Sequence, residues 1–401
     1  EIDKAYRDLE NNLTVLSGDI DGDDQNDDGN GIAETYSEIQ GTNAFNVVTF
    51  TDVTEETVFD GFTITAGNAD GNHLQRDGGG IRNINGSPQI LNCIITGNNA
   101  MQKGGGIFNN AKGADVTASP TLTNCTIIDN NASQGAGMYN ESSSRSIVNP
   151  ILTSCIITDN TASSQGGGMY NNAMFATLSP IFIDCEIRDN IATNNGGGMY
   201  SNIQVSSTFS PEFTNCDITG NSSVTGGGMY NTLVSQSIGN ATFTNCTISD
   251  NTASSQGGGI YNNINTATFS PEFSNCDITG NSGTNGGGIY NNIYNGTDNR
   301  RFTNCTISGN SASSYGGGIY NNVTMVGELN STLTNCVISG NSSINGGGGM
   351  YNNASNYSTV NPNLINCTIT GNSGTNGGGM HNTASNDGFV SPTLTNCILW
   401  G

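Results

Sequence analysis

The stretch SPTLTNCTIIDNNASQGAGMYN, Ser119 to Asn140, recurs in close variants from Pro88 to the C-terminal residue. Cysteine is its clearest marker. The eleven cysteines are Cys93, Cys125, Cys155, Cys185, Cys216, Cys246, Cys276, Cys305, Cys336, Cys367 and Cys397, at intervals of 29 to 32 residues. An apolar residue stands three positions before each one, as Leu122 and Phe213 do, and Ile or Leu stands two positions after. Asn stands five positions after each of the first ten, from Asn98 to Asn372. A Gly-rich triplet then introduces Ile or Met, an aromatic residue and Asn, as in Gly286-Gly287-Gly288-Ile289-Tyr290-Asn291. Self-similarity at a fixed period of this length marks a solenoid.

Within one repeat the apolar residues alternate with period two, and no window carries the i, i+3, i+4, i+7 stripe of a helix. Gly, Asn and Asp crowd the breaks, where tight corners need left-handed backbone. We therefore expect three short strands per coil: Thr121-Leu122, Cys125-Thr126-Ile127 and Met138-Tyr139-Asn140, with Asn124 and Asp129-Asn130 at corners and a variable Ser/Asn loop between the second and third. All eight prolines fall five residues before a cysteine, from Pro88 to Pro392. Lacking an N–H for the ladder, they suit the start of a strand. The expected fold is all-β: a right-handed parallel β-helix of about 12 coils, roughly 30 residues each. Rungs about 4.8 Å apart would place like residues on like, giving Cys, Ile and Asn ladders and a rod of about 55–60 Å.

The chain has 401 residues, long for one compact domain but ordinary for a solenoid. Its 33 acidic against 10 basic residues give a net charge of −23, which opposes binding to nucleic acid or anionic membranes. No apolar run reaches transmembrane length. No basic-then-apolar leader follows Glu1, so the sequence reads as processed or cut from a longer precursor. The odd number of cysteines, and the parallel Cβ vectors expected of a stacked column, favour buried free thiols over disulfides. No C-x-x-C pair suggests zinc.

Residues 1–45 are expected to form a capping segment before the β-helix of 46–401. A short helix with Ile2, Tyr6 and Leu9 on one face opens it. Asp19 to Gly31 then carries six carboxylates within ten residues. Asp24, Asn26, Asp28 and Asn30 alternate as oxygen ligands do in an EF-hand loop, with Gly29 at the turn, and calcium is the expected ion. The pattern departs from that loop at its twelfth position, which is Thr35 rather than Glu. The other reading is a solvated acidic loop.

The segment Leu13–Ile20, with Phe45–Thr49 and Phe59–Asn68, resembles the opening of secreted bacterial β-helix repeat proteins. The Gly-Gly-Gly-Ile/Met and Cys-x-Ile-x-x-Asn elements are similar to the paired GGA(I/L/V) and FxxN motifs of the polymorphic outer-membrane protein family. Gly stands where that family prefers Ala, except at Gly135-Ala136-Gly137, and Cys stands for Phe. The resemblance implies a β-helix in an extracellular or cell-surface setting and leaves activity open.

Because β-helices also host polysaccharide lyases and hydrolases, paired carboxylates were sought. Among outward positions beside the cysteines only Glu186, Asp217 and Asp277 are charged, with Arg188 and Asp189 near the first. Ordinary surface charge is the simpler account of this patch. The two histidines, His73 and His381, lie many repeats apart, which disfavours His-based chemistry. That outward row is also too mixed for the flat Thr lattice of ice recognition. Phe108, Tyr139, Tyr170, Tyr200, Tyr230, Tyr261, Tyr290, Tyr320 and Tyr351 fall in one column, with Arg82 and His381 at its ends. It reads as a stack covered by the variable loops, or as a platform for a surface glycan or a neighbouring rod. The last repeat stops at Trp400-Gly401 without its third strand, so we expect continuation in a longer chain or end-to-end self-association. The expected function is thus a non-catalytic extracellular structural or adhesive β-helix, with a carbohydrate-active enzyme as the alternative.

Overall fold

The structure, a computed structural model, describes residues 13–26 and 28–400. The expected helix carrying Ile2, Tyr6 and Leu9 lies outside the described residues. From Val15 onward the chain is a parallel β-solenoid of about twelve turns. Three long sheets run its length, with 13, 12 and 12 strands among the described residues. In the coil of Cys125 they receive Thr126–Ile128 (the cysteine sheet), Met138–Ser143 (the tyrosine sheet) and Thr121–Thr123 (the leucine sheet). Pairing is parallel and in register, so that Ile127 sits between Ile95 and Ile157, and Leu122 between Ile90 and Leu152.

Two further sheets were not expected. The variable loop is itself a strand, Asn131–Gln134 in this coil, within a ten-stranded serine sheet. Its single inward alanine explains why: Ala100, Ala132, Ala162 and Ala192 form a small core of their own. A seven-stranded sheet of two-residue strands, such as Thr208–Phe209, lies just before the proline column. The prolines stand immediately before the leucine-sheet strands, as Pro120 stands before Thr121. Upstream, Val15–Ser17 pairs with Thr63–Thr65 and adds a thirteenth strand to the cysteine sheet.

The core is a narrow shaft. Leu122, Cys125, Ile127 and Met138 are buried there, and their counterparts repeat rung by rung. Phe182, Phe213, Phe243, Phe273 and Phe302 stack with centroids 4.6–4.7 Å apart and planes within 11°. Strand spacing dictates that distance, which is also favourable for aromatic contact. All eleven cysteines are free and ten are buried, as expected; Cys216 and Cys246 each donate S–H to the carbonyl two residues before.

Polar ladders hold the corners. Asn130 Nδ2 donates to Asn160 Oδ1 at 3.0 Å and to the carbonyls of Ile95 and Ile128, while its backbone N–H meets the same Oδ1. The column Asn98 to Asn372 repeats this scheme, so a buried amide closes the turn and joins two rungs. Asn124 and Asp129 beside it take φ of 52°, a region their short polar side chains tolerate. At the far end, Leu394, Ile398, Leu399 and Trp400 of the last rung are exposed.

Candidate functional site

The aromatic column lies on the outer side of the tyrosine sheet, yet it is closed over. Phe108 and Tyr139 are each 2% exposed, and Tyr170, Tyr200, Tyr261 and Tyr290 are buried too. The rings stack from rung to rung, Tyr139 on Tyr170 at 4.7 Å and Tyr290 on Tyr320 at 4.6 Å, ending in Tyr351 on His381. The serine sheet supplies the cover. Lys103, at the end of the strand Asn99–Lys103, sits 5.0 Å from the Tyr139 ring centroid, and Tyr315, at the end of Ser311–Tyr315, lies 4.7 Å from Tyr351. Glycine makes the approach feasible: a Cβ on Gly166, at φ of 66°, would lie 3.1 Å from Tyr170 Cβ. Burial pushes the Tyr170 phenol up to about 12 and Tyr139 well above its ordinary value. The column is therefore a covered stack, and it offers no open platform.

At the N-terminal end of that stack the fold gathers around Arg82 three charges that the sequence reading passed over, Asp77, Lys103 and Glu141. Lys103 Nζ meets Glu141 Oε1 at 2.8 Å, and Asn110 Nδ2 donates to Glu141 Oε2 at 3.0 Å. Asp77 lies alongside, in a β-bridge to Lys103, and Arg82 heads the aromatic column. Burial, with Glu141 adding to it against the pull of Lys103 and Arg82, holds Asp77 above the usual carboxylate range. Asp77 Oδ1 and Arg82 Nε are buried without a hydrogen-bond partner among the described residues. Lys103 and Asp77 come from serine-sheet coil segments, so only the return of the loop onto the stack brings them to Glu141.

A second hidden pair lies in the shaft. Asp298 and Arg300 are 0% and 1% exposed, and the guanidinium Nε donates to Asp298 Oδ1 at 3.0 Å while Nη2 meets Oδ2. Asp298 occupies the column of Phe269 and Leu329, and Arg300 occupies the proline column. Both substitutions fall in one repeat, and that coincidence was the sequence signal for the pair.

The sequence-predicted residues are placed as follows. Of Asp24, Asn26, Asp28 and Asn30, only Asp24 joins the described cluster of potential ligands, Asp19, Asp23 and Asp24, whose carboxylate oxygens lie within 4.8 Å. Asp24 accepts from Gln40 N at 2.6 Å and from Asn43 Nδ2 at 2.7 Å, and Asp21 accepts from Thr42 N. Asp28 and Asn30 bond to each other at 2.8 Å, and Asn30 also reaches Glu34. The Asn26 carbonyl accepts from Gly29 N. Asp21 and Asp24 thus stitch this loop to residues 40–43, and the cluster by itself assigns no ion. Glu186 is in register with Asp217, as expected of one outward row, while Arg188 pairs at 3.1 Å with both Glu186 and Asp189. The patch is solvent-exposed and remains acidic, with Arg188 the one cation among Glu186, Asp189 and Asp217.

One corner of the rod instead presents open apolar surface. Tyr294, Asn295, Met325, Val326, Asn356 and Tyr357 line a cavity of about 390 Å³. Among the described residues, no helix is long and apolar enough to cross a membrane. Compared with protein-family models, curated proteins and solved structures, the chain shows no match to any.

Proposed function

We propose that the chain is a non-catalytic structural or adhesive rod that works outside the cell or at its surface. The observation that carries this reading is the commitment of its reactive side chains to the scaffold. The tyrosines of the aromatic column are stacked and covered, the asparagines of the corner columns are spent in ladders between rungs, and the thiols lie in the shaft. The clustered charges pair with one another, as Lys103 does with Glu141, Arg188 with Glu186 and Asp189, and Arg300 with Asp298. A general acid or base needs a free group within reach of a substrate. The similarity of the glycine-triplet and Cys-x-Ile-x-x-Asn elements to polymorphic outer-membrane protein repeats supports the surface setting. A second reading, a polysaccharide lyase or hydrolase, draws on the adjacency of Glu186, Asp217 and Arg188 on one open face. A release assay over acidic and neutral polysaccharides, with and without calcium, separates the two. No new reducing ends and no rise in absorbance at 235 nm are expected; turnover lost in E186Q or D217N would establish the enzyme.

A further inference from the structure

We infer that the corner formed by Tyr294, Asn295, Met325, Val326, Asn356 and Tyr357 is a binding site for a neutral saccharide. The six residues come from three consecutive rungs, since Tyr294 is in register with Thr324 and Thr324 with Ser355. Tyr294 and Tyr357 therefore bracket the Met325–Val326 rung, about 10 Å apart along the axis. With Met325 and Val326 on the rung between them, the two phenols make a continuous apolar surface over that span, long enough for one pyranose ring to lie against it.

Three observations point to a ligand. First, the apolar side chains are open: Tyr294 is 43% exposed, Met325 44%, Val326 58% and Tyr357 69%. Neither tyrosine takes part in the covered stack. Second, Met325, Val326 and Tyr357 hold φ of 54°, 57° and 63°. The same corner of other coils holds Ser206, Ser235, Gln236, Asn386 and Asp387 but also Phe175, Val205 and Thr266 at φ of 49–52°, so left-handed backbone belongs to the corner in general, and here it carries bulky side chains on two consecutive rungs. A β-branched valine in left-handed backbone is strained, and with more than half its surface exposed it recovers little of that strain by burial. Third, the polar groups at the rim are unspent. The Asn295 side chain has no hydrogen-bond partner among the described residues. Asn356 Oδ1 accepts from Asn386 Nδ2 at 3.1 Å, which leaves the Asn356 amide N–H groups to donate.

Aromatic faces flanked by free amides complement a sugar, whose C–H faces are apolar and whose hydroxyls both donate and accept. The lining carries no carboxylate and no cation, and the chain's charge of −23 repels uronates and sulfated glycans, so the saccharide is neutral. An apolar protein segment fits less well, because covering Asn295 and Asn356 with hydrocarbon would leave their amides unpaired.

The test is titration of the full chain with neutral oligosaccharides (cellohexaose, xylohexaose, mannohexaose, chitohexaose) and with hexagalacturonate, by calorimetry. At least one neutral hexasaccharide should bind, with an affinity little changed by salt. Tyr294→Ala and Tyr357→Ala should each weaken binding about tenfold, the value of one aromatic contact. Phe175→Ser, at the same corner but outside the cavity, should leave it unchanged. Circular dichroism confirms the fold of each variant, and these exposed positions carry little of it. Val326→Gly, which relieves the backbone strain, should weaken binding while retaining or raising stability. Binding of hexagalacturonate alone, no binding of any neutral hexasaccharide, or binding that survives the double tyrosine variant would each overturn the assignment. So would sedimentation showing that the double variant abolishes self-association instead. The non-catalytic reading is tested separately, since a saccharide held here is cleaved or left intact irrespective of this contact.

Discussion

Ser201 interrupts the second buried amide column, and Ser201→Asn should strengthen the rod. In that column Asn109 donates to Asn140 and Asn140 to Asn171, each at 2.9 Å, and Asn231 resumes the series by donating to Asn262 at 3.0 Å. Ser201 is in register between Asn171 and Asn231. The break leaves Asn171 Nδ2, Ser201 Oγ and Asn231 Oδ1 buried with no partner among the described residues. An asparagine there, in the environment its column neighbours already occupy, would make two amide–amide bonds at a net ~1 kcal/mol each. The same two bonds end the burial of two unpaired groups, a gain of about 1–3 kcal/mol apiece by mutational measure that contains the bond term and does not add to it. Less the cost of ordering a longer side chain, the gain should be about 2–4 kcal/mol. Rungs of a solenoid open partly independently, so native-state hydrogen exchange is the suitable assay. Protection of amides in Met199–Gln204 and Met229–Val234 should rise roughly 30- to 1,000-fold, at 1.4 kcal/mol per factor of ten. Ser201→Ala, which removes an unbonded hydroxyl, should be neutral or stabilising by up to about 1 kcal/mol. Unchanged or lowered protection in Ser201→Asn would refute the ladder account.

Three further outcomes are expected. Asp298→Leu should cost about 3–5 kcal/mol by leaving the buried Arg300 guanidinium unpaired, whereas Asp298→Leu with Arg300→Pro, which copies the Leu178/Pro180 pair of an earlier coil, should return to wild-type stability or exceed it; urea denaturation of both gives the comparison. Asp129 is pushed up to about 6 by burial and by the nearby Asp159 and Glu38, so the folded state holds its proton more tightly than the unfolded one and loses stability as pH rises from about 4 to 6. Asp129→Asn, which tolerates the same φ of 52°, should therefore be the more stable protein at pH 7 and lose that advantage below pH 4, as thermal melts across that range would show. Alkylation under non-reducing conditions should modify all eleven cysteines in denaturant and few in the native rod; incomplete labelling that reductant restores would mean disulfides.

Whether a residue faces the shaft or the corner was legible in the sequence. Strand alternation is a local property, and each of the ten full repeats from Cys93 onward states it again, so Leu122, Cys125, Ile127 and Asn130 took their places without any tertiary knowledge. The corners were equally local, because left-handed backbone restricts Asn124 and Asp129 to a few residue types. What happens above the outer faces depended on the path of the variable loop, which has no strict pattern. Only the fold showed that Ala132 pins that loop back as a strand, that the strand covers the tyrosines, and that Lys103 thereby reaches Glu141. The acidic spacing from Asp24 to Asn30 suggested ligands in line; that the chain returns through Gln40 and Asn43 to bond Asp24 was visible only in the fold. Periodicity thus determined the rungs, because stacking repeats one local geometry. Tertiary structure decided which surfaces stay open, because cover comes from whichever segment of irregular sequence crosses over them.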